Sequence, residues 1–169
     1  GLRSLSLYLV LKQIGYDVTL LDGGYKNYIR FVVKFFEISC EKYKFNQIMG
    51  VTGVGKTLFI KELSKNYQVI DFEGLANHKG SILGNIPNKN QPSQKYFETL
   101  IYEKLNSFNS KKNIWVEAES IKVGKLSIPS KIWKNMPLGK NVKVISSLEE
   151  RVRFCLLYTS PSPRDSALS

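Results

Sequence analysis

Apolar positions along this chain fall into helical and strand periods by turns. Leu2, Leu5, Tyr8, Leu9 and Leu11 recur at helical spacing over residues 1–14, and Gly15 can end that helix. Residues Val18–Leu21 then read as a short strand, closed by the tight turn Asp22-Gly23-Gly24-Tyr25. Tyr25, Ile29, Val32, Val33, Phe36 and Ser39 or Cys40 predict a connecting helix through Glu41 that packs against both of its neighbours. No Pro- or Ser-rich linker follows, so the junction is expected to be rigid. Phe45–Met49 reads as a strand, Thr57–Leu63 as a helix and Gln68–Asp71 as a second strand. Gln91-Pro92-Ser93-Gln94-Lys95 opens a helix with Pro92 in its first turn and Phe97, Leu100, Ile101, Leu105 and Phe108 on its apolar face. Strands at Asn113–Glu117 and Val142–Ile145 follow, with a short helix from Ile128-Pro129 through Trp133 between them. Ser147-x-x-Glu150 is a capping box for a last helix. Strands alternating with helices give an α/β fold built on a parallel sheet.

One polar stretch interrupts this pattern where a strand hands over to a helix. Gly50-Val51-Thr52-Gly53-Val54-Gly55-Lys56-Thr57 matches the phosphate-cradling P-loop, G-x-x-x-x-G-K-[ST], in full. Glycines at 50, 53 and 55 let the backbone curl its N–H groups around an anion, as Thr52 and Val54 also can with theirs. Lys56 can extend a compact positive charge along the outer phosphates, and the Thr57 hydroxyl can ligate Mg²⁺ held between them. The strand before and the helix after set this apart from a chance glycine-rich turn.

Further acids fall at strand ends, where open parallel sheets place their ligands. Asp71 and Glu73 follow the second strand and would lie near the P-loop mouth, holding Mg²⁺ through water or orienting a substrate hydroxyl. Glu117 or Glu119, after the third strand, stands where a P-loop protein keeps its Walker-B acid. His78 is the chain's single histidine, and a lone histidine is more often structural than catalytic.

Composition narrows the class. The chain has 169 residues, 43% of them hydrophobic, and no apolar run long enough to span a membrane. Cys40 and Cys155 offer neither a disulfide framework nor a metal cluster, which fits a reducing cytoplasm. Cys40, inside a helical pattern, reads as a packed small hydrophobe. The net charge of +11 suits a polyanion such as RNA, although lysines scattered through an Asn- and Ile-rich chain also arise from biased composition.

Several blocks together carry a resemblance: Gly1-Leu2-Arg3-Ser4, Leu21-Asp-Gly-Gly-Tyr-Lys-Asn-Tyr28, the P-loop, Asp71-Phe-Glu-Gly-Leu-Ala-Asn-His-Lys-Gly-Ser81, Gln91-Pro-Ser-Gln-Lys-Tyr-Phe-Glu98, Trp115-Val-Glu-Ala-Glu-Ser120 with Val123-Gly124 after it, and Leu148-Glu-Glu-Arg-Val152. In this order they resemble the tRNA 2-selenouridine synthase family, a rhodanese domain fused to a P-loop domain. The resemblance implies a P-loop NTPase-like parallel sheet flanked by helices at 45–154, reached through a connector at 31–44. Before it, residues 1–30 would be the C-terminal remnant of a rhodanese-like α/β domain whose carrier cysteine lies upstream of Gly1. Without that cysteine the fragment is expected to be inactive for the selenium step. Residues 155–169 look like the translation of a transposon end used in sequencing libraries, break a helical pattern with two prolines, and are set aside as a non-native tail.

The family implies a transferase that converts wobble 2-thiouridine of tRNA to 2-selenouridine through an S-geranyl intermediate. Its substrates would be geranyl diphosphate and selenophosphate, with the P-loop holding the diphosphate. It also moves Asn77, His78, Lys79 and Gln94 into the set expected to position substrate or metal, beside Asp71, Glu73, Glu117 and Glu119. Lys79 stands where the family has Arg, which keeps charge but loses bidentate phosphate binding, and Ile121 stands where a basic residue is expected. Two other readings fit a P-loop: a kinase or ATPase acting on a small molecule, and a non-catalytic nucleotide- or tRNA-binding module.

Overall fold

The computed structural model describes residues 2–51, 54–79, 89–117 and 120–152. At its centre are four parallel strands, β1 (Phe45–Met49), β2 (Gln68–Ile70), β3 (Ile114–Glu117) and, last in the chain, β6 (Asn141–Lys143), in the order β2-β3-β1-β6. Their burial explains why they form. Phe45, Ile48, Ile70, Ile114 and Val116 are fully or almost fully enclosed, so each strand loses apolar surface to water only by joining the sheet. The short hairpin of β4 (Lys122–Val123) and β5 (Leu126–Ser127) stands apart from the sheet.

Helices cover the sheet. One, α2 (Gly24–Ile38), buries Val32, Phe35 and Phe36, with Tyr28 partly covered on the same stripe. It packs on α5 (Gln94–Ser107), which buries Phe97, Ile101 and Leu105, and the Phe35 and Tyr102 rings meet edge to face 4.9 Å apart. The remaining helices are α1 (Leu2–Gln13), α3 (Lys56–Leu63), α4 (Phe72–Leu75) and α6 (Ser130–Asn135). Helical residues 148–152 begin with a reciprocal cap: Ser147 N–H donates to Glu150 Oε2 at 3.0 Å and Glu150 N–H to Ser147 Oγ at 3.2 Å.

Several expectations need correction. Residues 16–21 form no strand, because a strand exists only as paired backbone and nothing among the described residues pairs with them. Tyr25 and Val33 face outward, since α2 turns a single stripe containing Phe35 toward α5 rather than packing on two sides. Pro92 precedes α5 instead of sitting in its first turn. The N-cap is Ser93, whose Oγ accepts from Tyr96 N–H at 3.3 Å. Helix α1 forms and ends near Gly15 (φ 91°), yet buries no residue. Its apolar positions have no described surface to pack on. Residues 155–169, expected to be a non-native tail, lie outside the described residues.

Candidate functional site

Because the strands run parallel, the segments after β1, β2, β3 and β6 all emerge at one edge. The glycine-rich loop follows β1. A Cβ on Gly50 would meet the Val144 carbonyl oxygen at 2.8 Å and Val54 Cγ1 at 2.9 Å, so that position has no room for a side chain. Gly55 takes a left-handed conformation (φ 88°) as the N-cap of α3, and Lys56 is the first residue of that helix. Thr52 and Gly53 lie outside the described residues. Val54 N–H donates to Val51 O at 3.3 Å within the loop.

Lys56 is only 6% exposed although charged. Its ammonium donates to the Gly50 carbonyl at 2.6 Å and the Val51 carbonyl at 3.3 Å, and stands 3.8 Å from Glu117 Oε1. The register explains the meeting: Glu117 is level with Ile48 on the adjacent strand β1, at the same sheet edge as the loop. The Glu117 side chain is 9% exposed. A buried ammonium and carboxylate at this separation compensate each other. Of the two acids expected here, Glu117 is thus beside Lys56, while Glu119 lies outside the described residues. Thr57, the next residue of α3, is exposed.

Asp71 follows β2, two strands from β1, so it stands about 10 Å across the sheet from the loop. Its Oδ1 accepts from Gly74 N–H at 2.8 Å, making it the N-cap of α4. Glu73 lies half-buried in α4 and its carbonyl accepts from His78 N–H at 3.0 Å. Asn77 has a positive φ of 50°, and its amide donates to the Asn90 carbonyl at 3.2 Å. His78 is 6% exposed, and its Nδ1 has no hydrogen-bond partner among the described residues. Lys79 is exposed.

Gln94 acts on the framework. Its Nε2 donates to the Ser127 carbonyl at 2.7 Å and its Oε1 accepts from Ser127 N–H at 2.9 Å, so one amide pairs with a whole residue of β5. Nε2 also reaches Glu98 Oε1 at 2.9 Å. Gln91, absent from the expected site, does the same for the hairpin turn: Nε2 donates to Val123 O at 2.9 Å and Ala76 O at 3.4 Å, and Oε1 accepts from Lys125 N–H at 2.9 Å. Three blocks distant in sequence therefore meet at the head of α5: the loop ending at His78, the Gln91–Gln94 turn, and the hairpin. The signal was the i, i+3 spacing of two glutamines beside a helix start. Ser146, just past β6 at the loop edge, was also missed; its buried Oγ has no partner among the described residues.

Gly124 completes the bracket. It has φ +61°, and an added Cβ would collide with the Gln91 amide and stand 2.8 Å from His78 Cδ2. Gly124→Ala is expected to destabilise the chain by about 1–3 kcal/mol through overpacking and left-handed strain. The imidazole resonances of His78 should shift with it. An unchanged melting temperature with unchanged His78 resonances would contradict this packing.

Cys40 is buried, and burial pushes its thiol up to about 12 against the opposing pull of Lys42 and Lys131. It is a packed hydrophobe at neutral pH and not a nucleophile. Among the described residues no group of three or more His, Cys, Asp or Glu side chains could hold a metal, and no helix is long and apolar enough to cross a membrane.

A parallel sheet with a glycine-rich loop after β1, a lysine opening the next helix and an acid ending the neighbouring strand defines a P-loop domain. The family model for the tRNA 2-selenouridine synthase AAA domain matches residues 43–158, and the chain belongs to that family. Similar relatives include the tRNA 2-selenouridine synthase of Psychromonas ingrahamii, 33% identical over 94% of this chain and 42% of the relative. Those of Nitrosomonas europaea and Alcanivorax borkumensis are each 34% identical, over 90% and 92% of this chain and 40% and 42% of the relatives. The chain thus spans about two fifths of the length of these curated relatives. No solved structure matches it.

Proposed function

We propose that this chain is the diphosphate-binding part of an enzyme that replaces sulfur by selenium in wobble 2-thiouridine of tRNA, in the cytoplasm, through an S-geranyl intermediate. The observation that carries the reading is the Lys56 ammonium, enclosed at the loop edge beside Glu117, in a chain of this family. In the first step the thiocarbonyl sulfur attacks C1 of geranyl diphosphate, the C–O bond breaks, and the electron pair leaves with pyrophosphate. Charge accumulates on that leaving group, where preorganised cationic donors act most strongly. Lys56 leaves the Gly50 and Val51 carbonyls to meet the phosphates, and the N-terminal amides of α3 face the same anion. Selenophosphate selenium then attacks C2 of the base, the C2–S bond breaks with loss of geranyl thiol, and water cleaves the Se–P bond to release phosphate. Cys40, enclosed and protonated, takes no part.

Mg²⁺ fits the residues present. Thr57 offers an exposed hydroxyl in the first turn of α3, and Glu117, beside the preceding Lys56, would act through water. Mg²⁺ favours one or two protein groups with substrate phosphates and water over an all-protein cage, which agrees with the small donor set. Bound there, it would neutralise charge on the diphosphate. Asp71, Glu73, Asn77, His78 and Lys79 line the adjacent segment and are assigned to orienting substrate.

The test is direct. Incubating the chain with geranyl diphosphate, Mg²⁺ and tRNA containing 2-thiouridine should release pyrophosphate and yield a more hydrophobic nucleoside on reversed-phase chromatography. ATP turnover without tRNA, and no binding of geranyl diphosphate, would replace this reading by a kinase or ATPase.

A further inference from the structure

Positive charge is distributed unevenly along this chain. Residues 74–97 and 120–148 hold nine lysines and no acid, whereas the rest holds sixteen basic and fourteen acidic residues. Nine of the eleven net charges therefore lie in two stretches. The fold joins them. Gln91 and Gln94 at the head of α5 hold the β4–β5 hairpin, and Asn77 reaches the Asn90 carbonyl. Lys79, Lys89, Lys95, Lys122 and Lys125 consequently share one rim. All five are exposed, and none forms an ion pair with a described residue. Two lysines off this rim are answered: Lys65 by Glu62 at 2.7 Å and Lys131, although in the second stretch, by Glu41 at 3.6 Å.

A merely solvated face mixes signs, because clustered like charges repel and destabilise the compact state. Here side-chain amides fix a lysine-rich cluster in place instead, with Glu98, held by Gln94, beside it. The cluster lies at the loop edge, since α5 begins there and the hairpin follows β3. Five residues lead from Glu117 to Lys122, so the hairpin starts within about 17 Å of the acid facing Lys56. Tyr96, 53% exposed in the first turn of α5, adds an aromatic face on which a base can stack.

We infer that this rim is the docking surface for an RNA backbone, holding the strand whose modified base enters the phosphate-loop site. The inference rests on the RNA-modifying reading above and adds the surface that delivers the substrate. Lysines contact phosphates as point charges, and each neutralised phosphate releases counterions, so the rim should dominate the salt dependence of binding.

The experiment compares two charge-matched triple variants of the chain by tRNA fluorescence anisotropy across a salt series. One is Lys95→Gln/Lys122→Gln/Lys125→Gln on the rim. The other, Lys104→Gln/Lys111→Gln/Lys112→Gln, alters exposed lysines toward the opposite end of α5. The rim variant is expected to lower the slope of log affinity against log salt by about two to three units, with at least a roughly tenfold loss of affinity near 0.1 M salt. The control variant keeps the parent slope, and both keep parent affinity for geranyl diphosphate. Equal losses in the two variants, or a rim variant that binds like the parent, would overturn the docking surface while leaving the RNA-modifying reading intact. A parent that binds geranyl diphosphate but no tRNA at any salt would end that reading and this inference with it.

Discussion

Lys56→Ala is expected to lower the affinity for geranyl diphosphate by roughly tenfold to a hundredfold, the scale of one charge-assisted hydrogen bond to an anion. Stability should fall as well, for a separate reason. The substitution removes the ammonium that faces the enclosed Glu117 carboxylate. Removing one member of a buried pair costs about 3–5 kcal/mol, and the 3.8 Å separation places this pair toward the lower end. A double variant, Lys56→Ala with Glu117→Gln, separates the two effects. It should recover most of the lost stability in urea unfolding and none of the lost affinity in calorimetric titration. Parent-like affinity in either variant would show that the diphosphate is held elsewhere.

Gly139→Ala is expected to be the most damaging small substitution for the fold. A Cβ there would collide with the Phe45 carbonyl, a backbone atom of the central strand that has no rotamer to yield. Gly139 ends the turn that lays β6 against β1, where Lys140 O accepts from Gln47 N–H at 2.8 Å and Met49 O from Val144 N–H at 2.8 Å. Accommodation therefore means pushing β6 outward, which also removes the Val144 carbonyl from Gly50 and loosens the loop. Overpacking of ordinary side chains costs about 1–3 kcal/mol, and a backbone obstacle exceeds that range. The loss should appear as a lower urea midpoint and faster hydrogen exchange at the Gln47 and Val144 amides. A midpoint and exchange rates matching the parent would refute the contact.

Both predictions turn on features that the one-dimensional pattern conveys unequally. Strands β1, β2 and β3 were legible because each is a short apolar run between polar turns, and the loop was legible because phosphate cradling tolerates few residue types. The helix α5 was legible in its apolar face, but its start was misplaced at Pro92. Proline at a helix start and a serine cap give overlapping signals, and the Ser93 hydroxyl decided between them. The expected strand at 18–21 failed because periodicity reports a willingness to pair and not the presence of a neighbour. Gln94 was found by resemblance, yet its role as a bracket for Ser127 depends on a residue 33 positions away.

By itself the sequence determined a parallel α/β arrangement, a phosphate loop with its lysine, and a large positive charge, because local geometry and residue chemistry encode all three. The tertiary structure alone set Glu117 beside Lys56, turned Asp71 into a helix cap, enclosed His78 under Gly124, and tied Gln91 and Gln94 to the hairpin. Each of those outcomes depends on which strand lies beside which and which amide reaches across to another segment. Such pairings form between residues far apart in the chain, where no spacing rule operates.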